Sequence, residues 1–282
     1  MKQVFTLLLV FFSLTVFSQK GFQGKATYMS KTTVDLNAWG GDQMSEQRKK
    51  QIMERMKNFL EKTYTLNFNQ TESNFKENAK LDTPGAGRGR GFRFGGSAGG
   101  SVYKNTKDGK VIESSEFFGK KFLITDKSGQ PQWELGTESK KIGQYTCYKA
   151  TLVKEDNEFD WTSFRRRGRR NNDKGKDSVK TKEVEKKKTV LVTAWYTPEI
   201  PVSTGPDDYW GLPGLILEIN AGRTTMLCTE IVLNPEEKVE IKAPKKGDKV
   251  TREEYNAIIK KKTEEMQERF RSRGGGRGRG RF

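Results

Sequence analysis

The chain has 282 residues, a formal net charge of +17 at pH 7, two cysteines and no histidine. Without histidine it cannot assemble a Ser/His/Asp triad, a Cys/His pair or a His-ligated zinc or copper site. Chemistry within the chain is therefore restricted to carboxylates, Lys, Ser, Thr, Tyr and Cys. The sequence predicts no cofactor.

The first 18 residues have the form of a secretory signal peptide. Lys2 precedes an apolar run from Val4 to Phe17 that is too short to span a bilayer, and the small residue Ser18 allows cleavage before Gln19. We therefore expect an exported protein, either periplasmic or associated with the outer membrane or cell surface. No transmembrane segment is expected after cleavage. An uncleaved N-terminal anchor is the alternative.

The next segment alternates between strand and helix signals. A short strand is predicted at Gly24–Met29. A helix over 45–61 follows, because Ser45 is a suitable N-cap and apolar residues recur at three- and four-residue spacing, namely Ile52, Met53, Met56, Phe59 and Leu60. This helix either packs on a sheet or lies on a membrane surface. From Thr63 the period is two, which predicts a β-hairpin returning through Ser73–Lys76.

Further strands are predicted at 102–105, 110–118, 122–126, 133–135, 145–153, 189–197, 215–220 and 224–233. Short connections between neighbours favour antiparallel pairing. About nine strands and one internal helix predict a mainly β (α+β) fold, in which a curved antiparallel sheet or half-barrel packs on one amphipathic helix. Thr251 and Glu254 have capping-box spacing, so a C-terminal helix is predicted over 251–270.

Three basic segments depart from this globular pattern. The predicted domain spans 19–250 and contains disordered insertions at 84–100 and 155–188, and a disordered Arg/Gly tail covers 271–282. Together the three segments carry +12 of the net charge. The candidate polyanion contacts are Arg165, Arg166, Arg167, Arg169, Arg170, Arg277, Arg279 and Arg281. Arg/Gly repeats resemble RNA-binding segments, but export disfavours nucleic acid. Non-specific binding to other polyanions, or solvated insertions of no specific role, remain.

The two cysteines are candidates for a disulfide. Export would place Cys147 and Cys228 where such a bond persists, and it would close a loop of about 80 residues. Two separately buried thiols are the alternative.

A proline-rich block precedes the strand at 215–220. Pro213 and Gly214 predict a type II turn from Leu212 to Leu215, and four of the eight prolines lie between Trp195 and Glu218, so we expect a rigid loop. This loop either closes the core at a sheet end or forms a preformed apolar docking surface. Its candidate residues are Trp195, Pro198, Pro201, Pro206, Tyr209, Trp210, Gly211, Leu212, Pro213, Gly214, Leu215 and Ile216.

The block from Gly211 to Ile216 reads GLPGLI, and the chain resembles the GLPGLI family of exported Bacteroidota proteins. The resemblance extends to the segments 64–75, 142–151 and 194–206, which have the family's recurring pattern. It covers most of 24–250 and leaves out the basic segments. The resemblance implies export and implies no particular activity.

The leading hypothesis is a non-enzymatic envelope protein that binds an apolar, lipid-like ligand or an extended partner segment. The alternatives are an accessory subunit of an outer-membrane transporter or envelope complex, a polyanion-binding protein and a carboxylate-based hydrolase. A hydrolase would use Glu199 and Glu218. Asp207 and Asp208 could together bind a hard cation such as Ca²⁺.

Overall fold

The structure is a computed structural model, and it describes residues 21–34, 44–78, 100–125, 129–155, 189–237 and 239–274. The predicted signal peptide and the eight candidate polyanion arginines lie outside these ranges. The two predicted insertions also lie outside them, except for their terminal residues Gly100 and Glu155. Glu155 still belongs to a strand.

Twelve strands and two helices make up the described part of the chain. The strands are β1 (Gln23–Thr32), β2 (Glu61–Asn69), β3 (Glu72–Glu77), β4 (Ser101–Asn105), β5 (Lys110–Phe117), β6 (Lys120–Ile124), β7 (Glu134–Ile142), β8 (Tyr145–Glu155), β9 (Thr189–Thr197), β10 (Leu215–Ala221), β11 (Thr224–Leu233) and β12 (Asp248–Val250). The helices are α1 (Glu46–Leu60) and α2 (Arg252–Gly274). The predicted mainly β fold with a C-terminal helix is confirmed.

All twelve strands belong to one open sheet, in the order β12-β6-β5-β4-β3-β2-β1-β11-β10-β9-β8-β7. Strands β1 to β6 form one antiparallel meander and β7 to β11 form another. The two meanders meet where β1 pairs with β11. The sheet is mixed rather than purely antiparallel, because β12 pairs parallel to β6. The sequence did not predict β12, since three residues are too few to show an alternating pattern.

The sheet must curl strongly, because β6 and β7 are consecutive in the chain but ten strand positions apart in the sheet. A flat sheet would separate them by about 48 Å, at roughly 4.8 Å per strand. The connection from Ile124 to Glu134 can reach at most about 36 Å when fully extended. The two halves of the sheet therefore face each other across a seam.

The core lies on both faces of the central strands. Leu215 and Leu217 of β10 belong to one buried cluster with Tyr28 of β1. Ile216 and Ile219 belong to a second cluster, with residues of β8 and β9. The pairing of β10 with β9 shifts register between Ile216 and Glu218, and this bulge helps a short strand to bury side chains on both sides.

Helix α1 contributes less to the core than the sequence suggested. Ser45 does cap it, since its side chain accepts a hydrogen bond from the Arg48 amide. Met53 is nevertheless 38% exposed, and most described residues of the helix are exposed. The apolar stripe is too narrow to cover the sheet, and the core clusters are built instead from the strands, the segment before β10 and helix α2. Neither described helix is long and apolar enough to cross a membrane.

Candidate functional site

The segment 198–214, which we call the proline loop, leads from β9 to β10 and folds against the sheet. Its predicted type II turn is wrong: the Gly214 amide donates to the Leu212 carbonyl at 2.8 Å, which is the two-residue spacing of a γ-turn about Pro213. The Leu215 amide instead donates to the Ile200 carbonyl at 3.0 Å. A Cβ at Gly214 would lie 2.1 Å from the Thr197 carbonyl oxygen, so the close approach of the two backbones requires glycine.

A buried lysine holds the proline loop to the sheet. Lys104 is the fourth residue of β4 and is 1% exposed. Its Nζ donates to the carbonyl oxygens of Gly205 and Asp207, both at 2.5 Å, and to that of Tyr209 at 3.3 Å. An ammonium group has three N–H donors, so these three carbonyls use all of them. Lys104 thereby fixes alternate residues of the loop at one point.

Other buried contacts join the loop to strands on both sides of the seam. The hydroxyl groups of Ser73 and Thr204 lie 2.8 Å apart and share a hydrogen bond. The indole N–H of Trp133, next to β7, donates to the Trp210 carbonyl at 2.8 Å. The loop is therefore a fixed element that links β3 and β4 to the opposite sheet edge.

The candidate residues in the proline loop and in the strands beside it differ in burial. Tyr209, Trp210, Leu212, Leu215 and Ile216 are buried, as are Pro206 and Gly214. Trp195 and Gly211 are half-buried, whereas Pro198, Pro201 and Pro213 are exposed. The aromatic pair that a docking surface would present is thus largely enclosed. One side of it remains accessible from a cleft.

This cleft lies along the seam, with a volume of about 210 Å³. We call it the seam cleft. Strands β4, β5 and β6 supply Val102, Val111, Glu113 and Ile124. Strand β8 supplies Leu152, Val153 and Lys154. The proline loop supplies Asp208, Tyr209 and Trp210, helix α2 supplies Arg252, and the segment before β7 supplies Gly129 and Pro131. Most of these side chains are apolar, and the charged ones come in pairs.

Two ion pairs face the seam cleft. Lys154 Nζ lies 2.5 Å from Asp208 Oδ2 and 5.0 Å from the centre of the Tyr209 ring. Arg252, at the start of α2, pairs with Glu113 of β5. Arg252 and Glu113 line the cleft on the side of the first meander, because α2 packs against β6, and Lys154 and Asp208 line it on the side of the second.

The pKa values of three residues around the cleft are shifted by burial and by neighbouring charges. Burial, with the nearby charges of Asp208 and Glu113, raises the pKa of Asp207 to about 7. Burial lowers the pKa of Lys104 to about 7, and the charges of Asp207 and Asp208 oppose that decrease. Burial lowers the pKa of Lys154, but the charge and hydrogen bond of Asp208 outweigh it and leave the pKa raised.

One polar atom in this region lacks a partner. Asp208 Oδ1 is buried and accepts no hydrogen bond from any described residue, although Oδ2 of the same carboxylate is paired with Lys154. Leaving a buried acceptor unsatisfied costs about 1–3 kcal/mol. Because this oxygen is enclosed by protein, it is a buried acceptor beneath the surface and not a group that lines the seam cleft.

The two cysteines are buried free thiols in the same core cluster. Burial raises the pKa of Cys147 to about 11 and that of Cys228 to about 12. Both groups are therefore neutral near pH 7 and behave as small apolar side chains.

The acidic candidates are already engaged. Glu199 Oε1 accepts a hydrogen bond from the Thr146 amide at 2.8 Å. Glu218 is only 15% exposed, and its Oε2 lies 2.7 Å from Lys140 Nζ. Lys140 Nζ also lies 4.3 Å from the centre of the Trp195 ring, so this lysine is engaged by both residues. Among the described residues, no three His, Cys, Asp or Glu side chains form a group that could hold a metal ion.

Sequence reasoning singled out Asp208, Tyr209 and Trp210 but missed Lys104, Glu113, Lys154 and Arg252. Lys104 had a usable signal, because it shares a strand face with Val102, which is buried. A lysine at an inward position must find partners. The other three residues look like ordinary surface charges until the curl of the sheet brings their strands together.

A family of known proteins is similar to part of the site. Residues 133–218 match the family described as "Protein of unknown function (Porph_ging)". The match contains β7 to β9, the proline loop and the beginning of β10. No curated protein matches the sequence.

Two solved structures resemble the fold at low identity. One is described as "Structure of PNGF-II in C2 space group", with a TM-score of 0.46, 12% identity and coverage of 84% of this chain and 32% of that chain. The other is described as "Structure of PNGF-II in P21 space group", with a TM-score of 0.41, 13% identity and coverage of 77% and 29%. The chain thus spans about a third of the length of these structures.

Proposed function

We propose that this chain is an exported, non-enzymatic envelope protein that binds an extended segment of a partner protein at the seam cleft. The observation that carries this proposal is the cleft itself, an apolar hollow of about 210 Å³ flanked by two ion pairs and backed by a fixed loop. Export remains the expectation drawn from residues 1–18.

The size of the cleft favours a side chain over a whole lipid. A dry protein cavity of about 150 Å³ accommodates benzene, so 210 Å³ accommodates about eight non-hydrogen atoms. Sites for larger ligands generally span about 300–1,000 Å³. One long side chain of a bound segment fits this space, whereas a two-chain lipid does not.

The rigidity of the site favours binding without rearrangement. The main-chain carbonyls of Tyr209 and Trp210 accept hydrogen bonds from Lys104 and Trp133, and both side chains are mostly buried, so they lose little entropy when a ligand packs against them. Val153, at the edge of the cleft, is 66% exposed and gives a partner an apolar surface beside the opening.

A non-enzymatic role is supported by the state of the reactive groups. Lys104 and Asp207 have perturbed pKa values, which often mark catalytic sites. Lys104, however, is enclosed and uses its three donors on loop carbonyls, so its amine has no path to a substrate. The pKa of Lys104 is lowered because its amine is buried in a structural contact with the loop.

Site-specific photo-crosslinking tests the proposal. A benzoylphenylalanine at Val153 should give a discrete adduct with one envelope protein in native cells. The same group at Val232, which is 40% exposed on β11, is the control. The adduct would be digested to identify the crosslinked segment, and a synthetic peptide of that segment would be tested for binding.

The peptide should bind the wild-type protein and lose at least about tenfold in affinity, or about 1.4 kcal/mol, in Val111→Phe, which fills the cleft. Circular dichroism and thermal unfolding check that this variant folds. Adducts with lipid, or equal yields from Val153 and Val232, would contradict the proposal. Recovery of full-length, unprocessed protein in the cytosol would contradict its exported location.

A further inference from the structure

We propose that the partner segment binds at the seam cleft as an added β-strand, through main-chain hydrogen bonds to the open edge of β8 at Val153. The occupant is an extended peptide backbone of the partner, and its alternate side chains enter the cleft. This inference rests on the proposed function and specifies how the segment is held.

The strand pairing leaves the last part of β8 open on one side. Pairing with β9 continues as far as Glu155, which lies opposite Thr189. Pairing with β7 ends at Thr151, which lies opposite Glu134. Within the described part of the chain, residues 152–154 therefore have a neighbouring strand on the β9 side only.

The N–H and C=O groups of Val153 point to the open side. Successive residues of a strand direct these groups to opposite edges. The Thr146 amide donates to Glu199, just beyond β9, so the even-numbered residues of β8 face β9. The odd-numbered residues face β7, and a Cβ at Gly136 of β7 would accordingly lie 3.3 Å from the Lys149 carbonyl oxygen. Val153 belongs to the odd set and lies beyond the start of β7.

The segment before β7 does not cover this edge. The Trp133 side chain donates to the Trp210 carbonyl at 2.8 Å, which holds the segment to the proline loop. Among the residues that the structure describes, no main-chain hydrogen bond joins 129–133 to 152–154. Val153 is 66% exposed, so this position is open to a ligand.

An added strand at this edge would place alternate side chains in the seam cleft. Residues that lie opposite each other in a sheet share one face. The segment residue opposite Val153 would share the face of Val153, and its two neighbours would share the face of Leu152 and Lys154. Both of these residues line the cleft, and Lys154 Nζ lies 5.0 Å from the centre of the Tyr209 ring. Main-chain hydrogen bonds therefore hold the segment, and the apolar cleft selects its alternate side chains.

A partner segment fits this edge better than a second copy of the chain. The open stretch at 152–154 is about 10 Å long, at roughly 3.3 Å per residue, whereas a specific interface buries at least about 1,000 Å². Each copy also carries a net charge of +17, so two copies repel each other.

Val153→Pro tests the main-chain contact. Proline removes the outward N–H group and obstructs the edge, while β8 keeps its pairing with β9. Lys141→Pro is the matched control on the far edge of β7, because its partner Thr146 faces β9 and the Lys141 amide therefore also points outward.

The readout is a benzoylphenylalanine at Leu135, which is 62% exposed near the start of β7. In native cells it should form an adduct with the protein that crosslinks at Val153. The yield should fall at least about fivefold in Val153→Pro and stay within about twofold in Lys141→Pro. Thermal unfolding checks that both variants fold.

Amide hydrogen exchange tests the edge without a substitution. In the wild-type protein alone, the Val153 amide should exchange at least about tenfold faster than the amides of Leu152 and Lys154, which face β9. Equal protection of the three amides would show that another part of the chain occupies the edge, and it would overturn the inference. If Val153→Pro fails to fold, the synthetic peptide of the crosslinked segment decides, because it should slow exchange at Val153.

The outcomes separate this inference from the proposed function. Equal yields in the two proline variants, or an adduct at Val153 without one at Leu135, would overturn strand addition and leave the seam cleft as a binding site. No adduct at either position would contradict the proposed function, and this inference with it.

Discussion

At the scale of single residues, the most consequential side chain is Lys104. It is a charged residue inside a short strand, and its partners are main-chain carbonyls rather than carboxylates. A buried charge is tolerated when hydrogen bonds replace its hydration, and here three carbonyls do so. The lysine therefore fixes the shape of the loop that backs the seam cleft.

Lys104→Met should destabilise the protein by about 3 kcal/mol or more, because the three carbonyls would lose their donor inside the protein. Urea unfolding followed by tryptophan fluorescence measures the effect. Lys107→Met, in the exposed turn after β4, is the matched control and should change stability by less than about 0.5 kcal/mol. Equal losses in both variants would contradict the role given to Lys104.

Asp207→Asn should stabilise the protein at pH 8 and have a smaller effect at pH 4. The pKa of Asp207 is raised to about 7 in the folded state from an ordinary value of 3.8, so folding favours the protonated form. The stability contributed by that form is complete below about pH 4 and is lost as the pH rises through 7. Asparagine cannot ionise, and it tolerates the φ of 48° at this position.

Urea unfolding of Asp207→Asn and wild type at pH 4 and pH 8 checks this prediction. The variant should exceed wild type in free energy of unfolding by more at pH 8 than at pH 4. Glu237→Gln is the control and should give a difference that is nearly constant with pH. A larger gain at pH 4 than at pH 8 would show that Asp207 is ionised and stabilising in the folded protein.

The thiols should react only after unfolding. Burial raises the pKa of both groups far above 8, so native protein at that pH should react slowly with a thiol reagent. Protein that is unfolded without a reductant should then yield two thiols per chain, as expected from Cys147 and Cys228 in the free state. A yield of no thiols would instead show that the two sulfurs are bonded in the exported protein.

At the scale of elements, the strands with clean alternation were predictable and the exceptions have physical causes. The bounds of β9 and β11 match the prediction to the residue, because each strand shows a continuous β pattern between clear breaks. Strand β7 is three times as long as predicted. It is an exposed edge rich in charged residues, so it lacks the apolar alternation on which the prediction depended.

The proline loop was predictable as a rigid element, but its contacts were not. Prolines limit the backbone wherever they occur, and that property is visible in the sequence. The loop contacts β4, about 100 residues earlier in the chain, and only the folded topology brings them together. The same holds for Arg252 and Glu113, 139 positions apart.

Gly214→Ala tests the close approach between the end of β9 and the turn before β10. The added methyl group would lie 2.1 Å from the Thr197 carbonyl oxygen and 2.6 Å from its carbon, and both atoms belong to the backbone. The loop would have to move, so we expect a loss of more than about 3 kcal/mol in urea unfolding.

Gly21→Ala is the control for this change, because a Cβ at Gly21 would meet nothing within 4 Å. Its stability should stay within about 0.5 kcal/mol of wild type. A Gly214→Ala protein as stable as the control would mean that the two backbones are farther apart than the structure has them.

At the scale of the whole molecule, positive charge is concentrated in the three basic segments rather than in the sheet and helices. The three basic segments carry +12 of the net charge of +17, and almost all of their residues lie outside the described part of the chain. The described sheet and helices are closer to electrical balance. The disorder of the basic segments stays a prediction from composition, and the curl that creates the seam cleft depends on pairings that no local pattern reveals.

Deleting residues 275–282 should weaken retention on heparin, because the deletion removes Arg277, Arg279 and Arg281. Binding to a polyanion releases counterions in proportion to the charges engaged, so the variant should elute at a lower salt concentration. Replacing the three arginines by lysine keeps the charge and should leave elution nearly unchanged. Unchanged retention of the deletion variant would exclude the tail from polyanion binding.

The pairing of β1 with β11 has a consequence for how the chain folds. Gln23 and Asn234 are 211 positions apart, yet they are hydrogen-bonded neighbours at this junction. A chain made from its N-terminus must leave one edge of β1 unpaired until nearly the whole sheet has been synthesised. Contacts of such long sequence separation slow folding. During that interval an open strand edge is available to other chains, so the last strands to be translated limit both the speed of folding and the exposure to aggregation.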